Sequence, residues 1–207
     1  MIELLNSLLQ ALAAGGGFLA ALSHYFRKKE RGWFLLACFY GVFALGTLYW
    51  TLHLLLRRET PQIFYVSDLA WAAAYGFLLT LVYTLPGRGE KGFVTRWCWA
   101  VPALCLPQFF CYVTRGDVLS NVLMCSLTGL AAWESVRALA WAKRTGRAKR
   151  RRFDRAVLLF VGLEYALWTA SCFWVSDDLR NPYFWFDFAL SGGLLLLLPG
   201  VREAVEP

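Results

Sequence analysis

"FDRAVLLFVGLEYALWTASCFWV", residues 153–175, sets a single carboxylic acid in the middle of an apolar run. Leu163 and Tyr165 flank Glu164; the nearest charge upstream is Arg155 and the nearest downstream is Asp177. About 20 mostly apolar residues match the thickness of a bilayer core, so the stretch reads as a transmembrane helix with an acid near its midplane. An acid there costs roughly 2.5 kcal/mol or more on insertion scales. Glu164 is therefore expected to face the interior of a bundle, either protonated or paired. Two roles fit that placement: a proton-titrating or cation-binding group, or a neutral hydrogen-bonding acid that fastens two helices.

Six more runs have the same character, at 2–26, 33–56, 61–86, 97–114, 117–142 and 182–200. Hydrophobic residues make up 58% of the 207 and mean hydropathy is +0.47, too apolar for a soluble domain of this length. The links are short. The expected fold is an all-α integral membrane protein, one domain over 1–207 with seven transmembrane helices. A transmembrane β-barrel would show ten-residue alternation instead. The first run opens on an acid, Glu3, rather than the basic segment of a cleaved signal, and reads as a retained helix.

Charge orients the bundle. One set of links holds fifteen basic residues: Arg27, Lys28, Lys29 and Arg31; Arg88, Lys91 and Arg96; Lys143, Arg144, Arg147, Lys149, Arg150, Arg151, Arg152 and Arg155. The other set holds Arg57, Arg58, Arg115 and Arg180. By the positive-inside rule the N-terminus lies outside and the C-terminus is cytoplasmic, in the plasma or inner membrane of the cell. This pattern accounts for the net charge of +7 without nucleic acid. The dense fifth link, Lys143 to Arg152, is expected to touch anionic lipid headgroups.

A shift of 119 places Phe34 on Phe153, Val42 on Val161, Tyr49 on Trp168, Phe64 on Tyr183 and Asp68 on Asp187. Thr60-Pro61 and Asn181-Pro182 each read as an N-cap followed by proline at the first helical position. "LLNSLL" near the start resembles "VLSNVLM" at 118–124 at a shift of about 114. These matches suggest parallel repeats, 1–86 and 117–200, joined by a linker helix at 97–114. That 3+1+3 plan resembles the sugar-efflux and PQ-loop transporter class in topology. Pro61-Gln62 and Pro107-Gln108 do not fall in the first helix of each repeat, where that class carries its motif, so the resemblance assigns no functional residue.

Pro102 and Pro107 lie inside the fourth run and are expected to bend it. "AAGGGFLAA" at 13–21 and "SGG" at 191–193 offer small faces for close helix packing. Trp33, Trp97, Trp99 and Trp141 read as one aromatic belt, and Tyr65, Trp174, Tyr183 and Trp185 as the other.

Besides Glu164, the candidate solute- or proton-binding residues are Asp68 and Asp187, a paired acidic entrance if the repeat holds; His53, near the same outer end; Gln108, between the two prolines; Asn121; and Tyr49 and Trp168 as aromatic walls. The plainer reading of the two aspartates is interfacial acids at helix N-termini. Glu134 and Arg137, three apart, read as an intrahelical ion pair. None of the six cysteines forms a CxxC or a Cys/His pair at metal spacing, and there is no GxSxG, HExxH or phosphate-cradling glycine loop. Neither a cofactor nor a metal is expected. A small-solute transporter with a midplane titratable site accounts for most of these features. The alternatives are a seven-helix sensor or accessory subunit that docks a cytoplasmic protein or a second copy, and an intramembrane enzyme acting on lipid.

Overall fold

The computed structural model describes residues 2–61, 66–115, 118–146 and 151–205, and among these every regular element is a helix. The elements are α1 (Ile2–Lys28), α2 (Arg31–Arg57), α3 (Val66–Thr84), the short α4 (Arg88–Lys91), a 3-10 turn (Arg96–Trp99), α5 (Ala100–Val113), α6 (Val118–Thr145), α7 (Arg151–Phe173) and α8 (Pro182–Val205). Six of them, α1, α2, α3, α6, α7 and α8, are long and apolar enough to cross a membrane. The chain is a multi-pass membrane protein.

The fourth run does not form one long helix. Its 3-10 turn leads into the 14-residue α5. Pro102 sits in the first turn of α5, where its missing N–H has no partner to lose. Only Pro107 lies in the helix interior.

Basic residues and left-handed caps end the helices where the sequence changes from apolar to charged. Lys29, at φ 56°, follows α1 and donates its backbone N–H to the Tyr25 carbonyl at 2.7 Å. Arg58, at φ 59°, closes α2 in the same way. Gly146, at φ 70°, follows α6, a conformation glycine adopts without a Cβ penalty. Asn181 caps α8: its side-chain oxygen accepts the Tyr183 N–H at 3.0 Å, with Pro182 at the first helical position. For Thr60-Pro61, residues 62–65 lie outside the described residues, as does Phe64 of the repeat pairing.

The six long helices pack in a closed ring, α1–α2–α3–α6–α7–α8 and back to α1, while α5 lies outside it against α6 and α7. The half nearer the basic links is solid. Trp33, Leu36, Phe39, Tyr40, Leu81, Phe153, Phe160, Leu194 and Leu197 are fully buried there. The Tyr40 hydroxyl donates to the Leu194 carbonyl across the ring. Large apolar side chains such as Leu12, Leu19, Leu45, Leu56 and Phe110 stand exposed on the perimeter, as hydrocarbon surroundings require.

The small faces act at single positions. Gly17 lies under the Tyr40 ring, Gly193 against Leu163, and Gly200 against the backbone of Phe153, whereas Gly15, Gly16 and Gly192 have open space. Trp33 is not a belt residue: it is 1% exposed and stacks on His24 at 4.3 Å between ring centres. Within α2 and α7 the shift of 119 does not match burial. It pairs Phe34, 46% exposed, with Phe153, 0% exposed, so the two faces do not coincide.

Candidate functional site

At the end of the ring away from the basic links, the helices part around a cavity of about 370 Å³. Its walls come from the start of α1, the end of α2, the start of α3, the ends of α5 and α7, and the starts of α6 and α8. This is one end of every long helix. It reaches from the exposed Arg115 and Ser171 to the buried Glu164 and Asp187.

Glu164 is 5% exposed. Its Oε1 accepts the hydroxyl of Tyr75, on α3, at 2.5 Å. Trp168, one turn further along α7, lies on the same cavity wall, as the four-residue spacing requires. Tyr165, about 100° round the helix, instead faces a minor pocket, and its carbonyl accepts the Tyr112 hydroxyl at 2.9 Å.

Asp187 is 7% exposed. Its two oxygens accept the amide groups of Asn6 and Gln10, each at 2.5 Å. These donors are four residues apart on α1 and so share its inner face. The network continues across the ring: Thr47 donates to Gln10 Oε1 at 3.4 Å, and the Trp71 indole donates to Thr47 at 3.3 Å. All these donors are neutral. They stabilise a carboxylate without cancelling its charge. Among the described residues, the charged groups acting on the two acids are acids themselves: Asp187 on Glu164, and Glu3 on Asp187.

Asp68 lines the cavity from the first turn of α3. Asn121 also lines it, but its amide is engaged with the Tyr112 carbonyl at 3.2 Å. Gln108 lies in the minor pocket and donates to the Tyr112 hydroxyl at 3.0 Å. The Asn121 amide fastens α6 to α5, whereas the Gln108 bond stays within α5 and supports the Tyr112 hydroxyl, which itself reaches α7. Tyr49 and His53 are not on the cavity. Phe43, Thr47 and Trp50 take the inner face of α2. Tyr49, two residues from Thr47, is turned about 200° away, and it packs on His53 with ring centres 6.0 Å apart.

Glu134 and Arg137 form their ion pair on α6, both buried, and Arg137 also donates to the Lys91 carbonyl at 3.2 Å. On the basic end, Arg151 donates to the Ala142 carbonyl and Arg152 pairs with Glu203 at 2.6 Å. Lys143 and Arg144 are exposed. Arg147, Lys149 and Arg150 lie outside the described residues.

Asn6, Gln10, Thr47, Trp71 and Tyr75 were not singled out in the sequence. The Asn6/Gln10 spacing was a usable sign, because two amides on one face of an apolar helix need an interior partner. Tyr75 carried none, since a tyrosine in an apolar run is equally at home in a core. Comparison with protein-family models, with curated proteins and with solved structures returned no match.

Proposed function

We propose that the protein is a small-solute transporter of the cell membrane, made of two parallel halves, α1–α3 and α6–α8, with α5 as a seventh crossing between them. One observation carries the reading: at suitable offsets the two halves contribute matching positions to one cavity. Between α3 and α8 the offset of 119 pairs buried with buried at Ala74/Gly193, Tyr75/Leu194, Leu78/Leu197, Leu81/Gly200 and Val82/Val201. Between α2 and α7 an offset of 117 does so at Leu36/Phe153, Tyr40/Val157, Phe43/Phe160 and Thr47/Glu164. Between α1 and α6 an offset of 114 does so at Asn6/Ser120, Gln10/Met124 and Gly17/Ala131. At these offsets Ser7 pairs with Asn121, Thr47 with Glu164, Trp50 with Leu167, Asp68 with Asp187 and Trp71 with Leu190, and all ten line the cavity.

A solute held between two rotation-related halves can be passed across by rocking one half against the other. For α5, 14 residues at about 1.5 Å and the 3-10 turn's four at about 2.0 Å give roughly 29 Å, close to a bilayer core of about 30 Å. The basic links put the N-terminus outside and the C-terminus in the cytoplasm, with Lys143 and Arg144 against anionic headgroups. A reporter fused after Pro207 is expected to read cytoplasmic; an external signal contradicts this orientation.

The transporter reading is tested in proteoliposomes holding a trapped pH dye. Sugars, amino acids, organic acids and organic cations are offered in turn. One class is expected to cross faster than in protein-free liposomes and to shift the internal pH. Absence of flux with every class, from folded protein, overturns the reading. A second reading has its own observation. The solid packing around Tyr40, Phe160 and Leu194 closes the basic end, which gives the cavity the shape of a cup that receives a ligand and passes on no more than a signal. Binding without flux supports that sensor.

A further inference from the structure

We infer that the cavity binds an organic cation, with the ammonium group held between the Glu164 and Asp187 carboxyls and the aromatic walls. The inference rests on the cavity being the solute site. Two buried acids face it, and every donor described on them is a neutral hydroxyl, indole or amide. Neutral donors give a desolvated carboxyl no counter-charge; a bound ammonium would supply one, in competition with the proton.

The remaining walls are the surfaces that bind such a cation. Trp50 and Trp71 lie with ring centres 5.6 Å apart, and Tyr75, Trp168 and Tyr183 line the same space. The negative faces of aromatic rings attract ammonium groups, tryptophan most of all. An inorganic ion fits the site less well. Among the described residues no group of three His, Cys, Asp or Glu side chains is placed to hold a metal ion. A volume of about 370 Å³ is at the small-metabolite end of ligand pockets, which run from roughly 300 to 1,000 Å³.

Among the described residues, the one basic residue on the wall, Arg115, sits at the exposed rim. Its guanidinium lies over the Phe173 ring at 4.3 Å, and it donates to the Cys111 sulfur at 3.4 Å. It is directed along α5 and toward α7, so a carboxylate on the ligand finds no basic partner at the depth of Glu164.

The test is binding to the purified full chain in detergent, read by tryptophan fluorescence and calorimetry, with three probes of nearly one shape. Choline carries a quaternary ammonium, 3,3-dimethyl-1-butanol is its neutral isostere, and glycine betaine adds a carboxylate. Choline is expected to bind at least about tenfold more tightly than the alcohol, and more tightly than betaine. Glu164→Gln should remove most of that preference. Trp168→Leu, which does not depend on the acid's folding role, should weaken choline more than the alcohol. Equal binding of choline and the alcohol, tighter binding of betaine, or no choline binding by folded protein overturns the inference. Displacement of choline by potassium at equal concentration also overturns it, in favour of an inorganic ion. The two proposals fail separately. Flux of a neutral or anionic solute without choline binding removes the cation and keeps the transporter, whereas choline binding without flux of any solute does the reverse.

Discussion

Replacing Glu164 with glutamine is expected to reduce solute-coupled proton movement to the level of protein-free liposomes, while the bundle stays folded. Glutamine keeps the shape of the side chain and an oxygen that can accept the Tyr75 hydroxyl, but it cannot titrate. Among the described residues, the groups facing it are Tyr75 from α3, Asp187 from α8 and its own neighbour Trp168; of these only Asp187 is an acid that in water is ionised at neutral pH, since a tyrosine titrates near about 10 and an indole not at all. A cation competes with the proton for an ionised carboxylate, so wild-type affinity should rise with pH and the variant's should be flatter. Thermal unfolding in detergent should move by only a few degrees. If the variant keeps full activity and the wild-type pH profile, Glu164 is a structural hydrogen-bonding group and the coupling lies elsewhere.

The second large effect is structural. A Cβ at Gly200 would lie 2.8 Å from the Phe153 Cα and 3.2 Å from its backbone nitrogen. Backbone cannot turn aside as a side chain can, so α7 and α8 must separate. Overpacking of this kind costs about 1–3 kcal/mol, and for a chain of this size each kcal/mol lowers Tm by roughly 2–4 °C. Gly200→Ala should therefore unfold roughly 2–12 °C below wild type, and Gly200→Val should fail to yield folded protein. Gly192→Ala is the control: its Cβ meets nothing within 4 Å, and alanine is the better helix former by up to about 1 kcal/mol. Equal losses from both alanine variants would show that the close approach of α8 to α7 is not what the glycine serves.

How far the sequence led depended on which face of each helix a residue takes. The long apolar runs were legible because a bilayer imposes one length on every crossing. Glu164 was legible because a lone acid in such a run must turn inward. The order of the ring was not legible, since every apolar face looks alike until its neighbours are known. The same limit misplaced Tyr49 and His53, which lie at the right depth on the wrong side of α2. It also misled the pairing of α2 with α7. In helices rich in Phe, Tyr and Trp, aromatic matches such as Tyr49/Trp168 arise by chance, whereas burial follows the inner face and prefers an offset two residues shorter. The partners of Asp187 were readable in principle from the Asn6/Gln10 spacing. Tyr75 could be found only by seeing what lies across from Glu164.

The claim at the centre of this account is that an aqueous cavity, open on the outer side and closed toward the basic links, reaches the buried acids. Cys172 is half-buried on its wall, and the most direct measurement uses it alone, with Cys38, Cys98, Cys105, Cys111 and Cys125 replaced by alanine. The Cys172 thiolate attacks a membrane-impermeant methanethiosulfonate reagent, forming a mixed disulfide and releasing methanesulfinate, so the reaction requires water at the sulfur. Added to the outer face of intact cells or oriented vesicles, it is predicted to modify Cys172 in the folded protein. Modification only from the cytoplasmic face, or only after unfolding, would contradict the account.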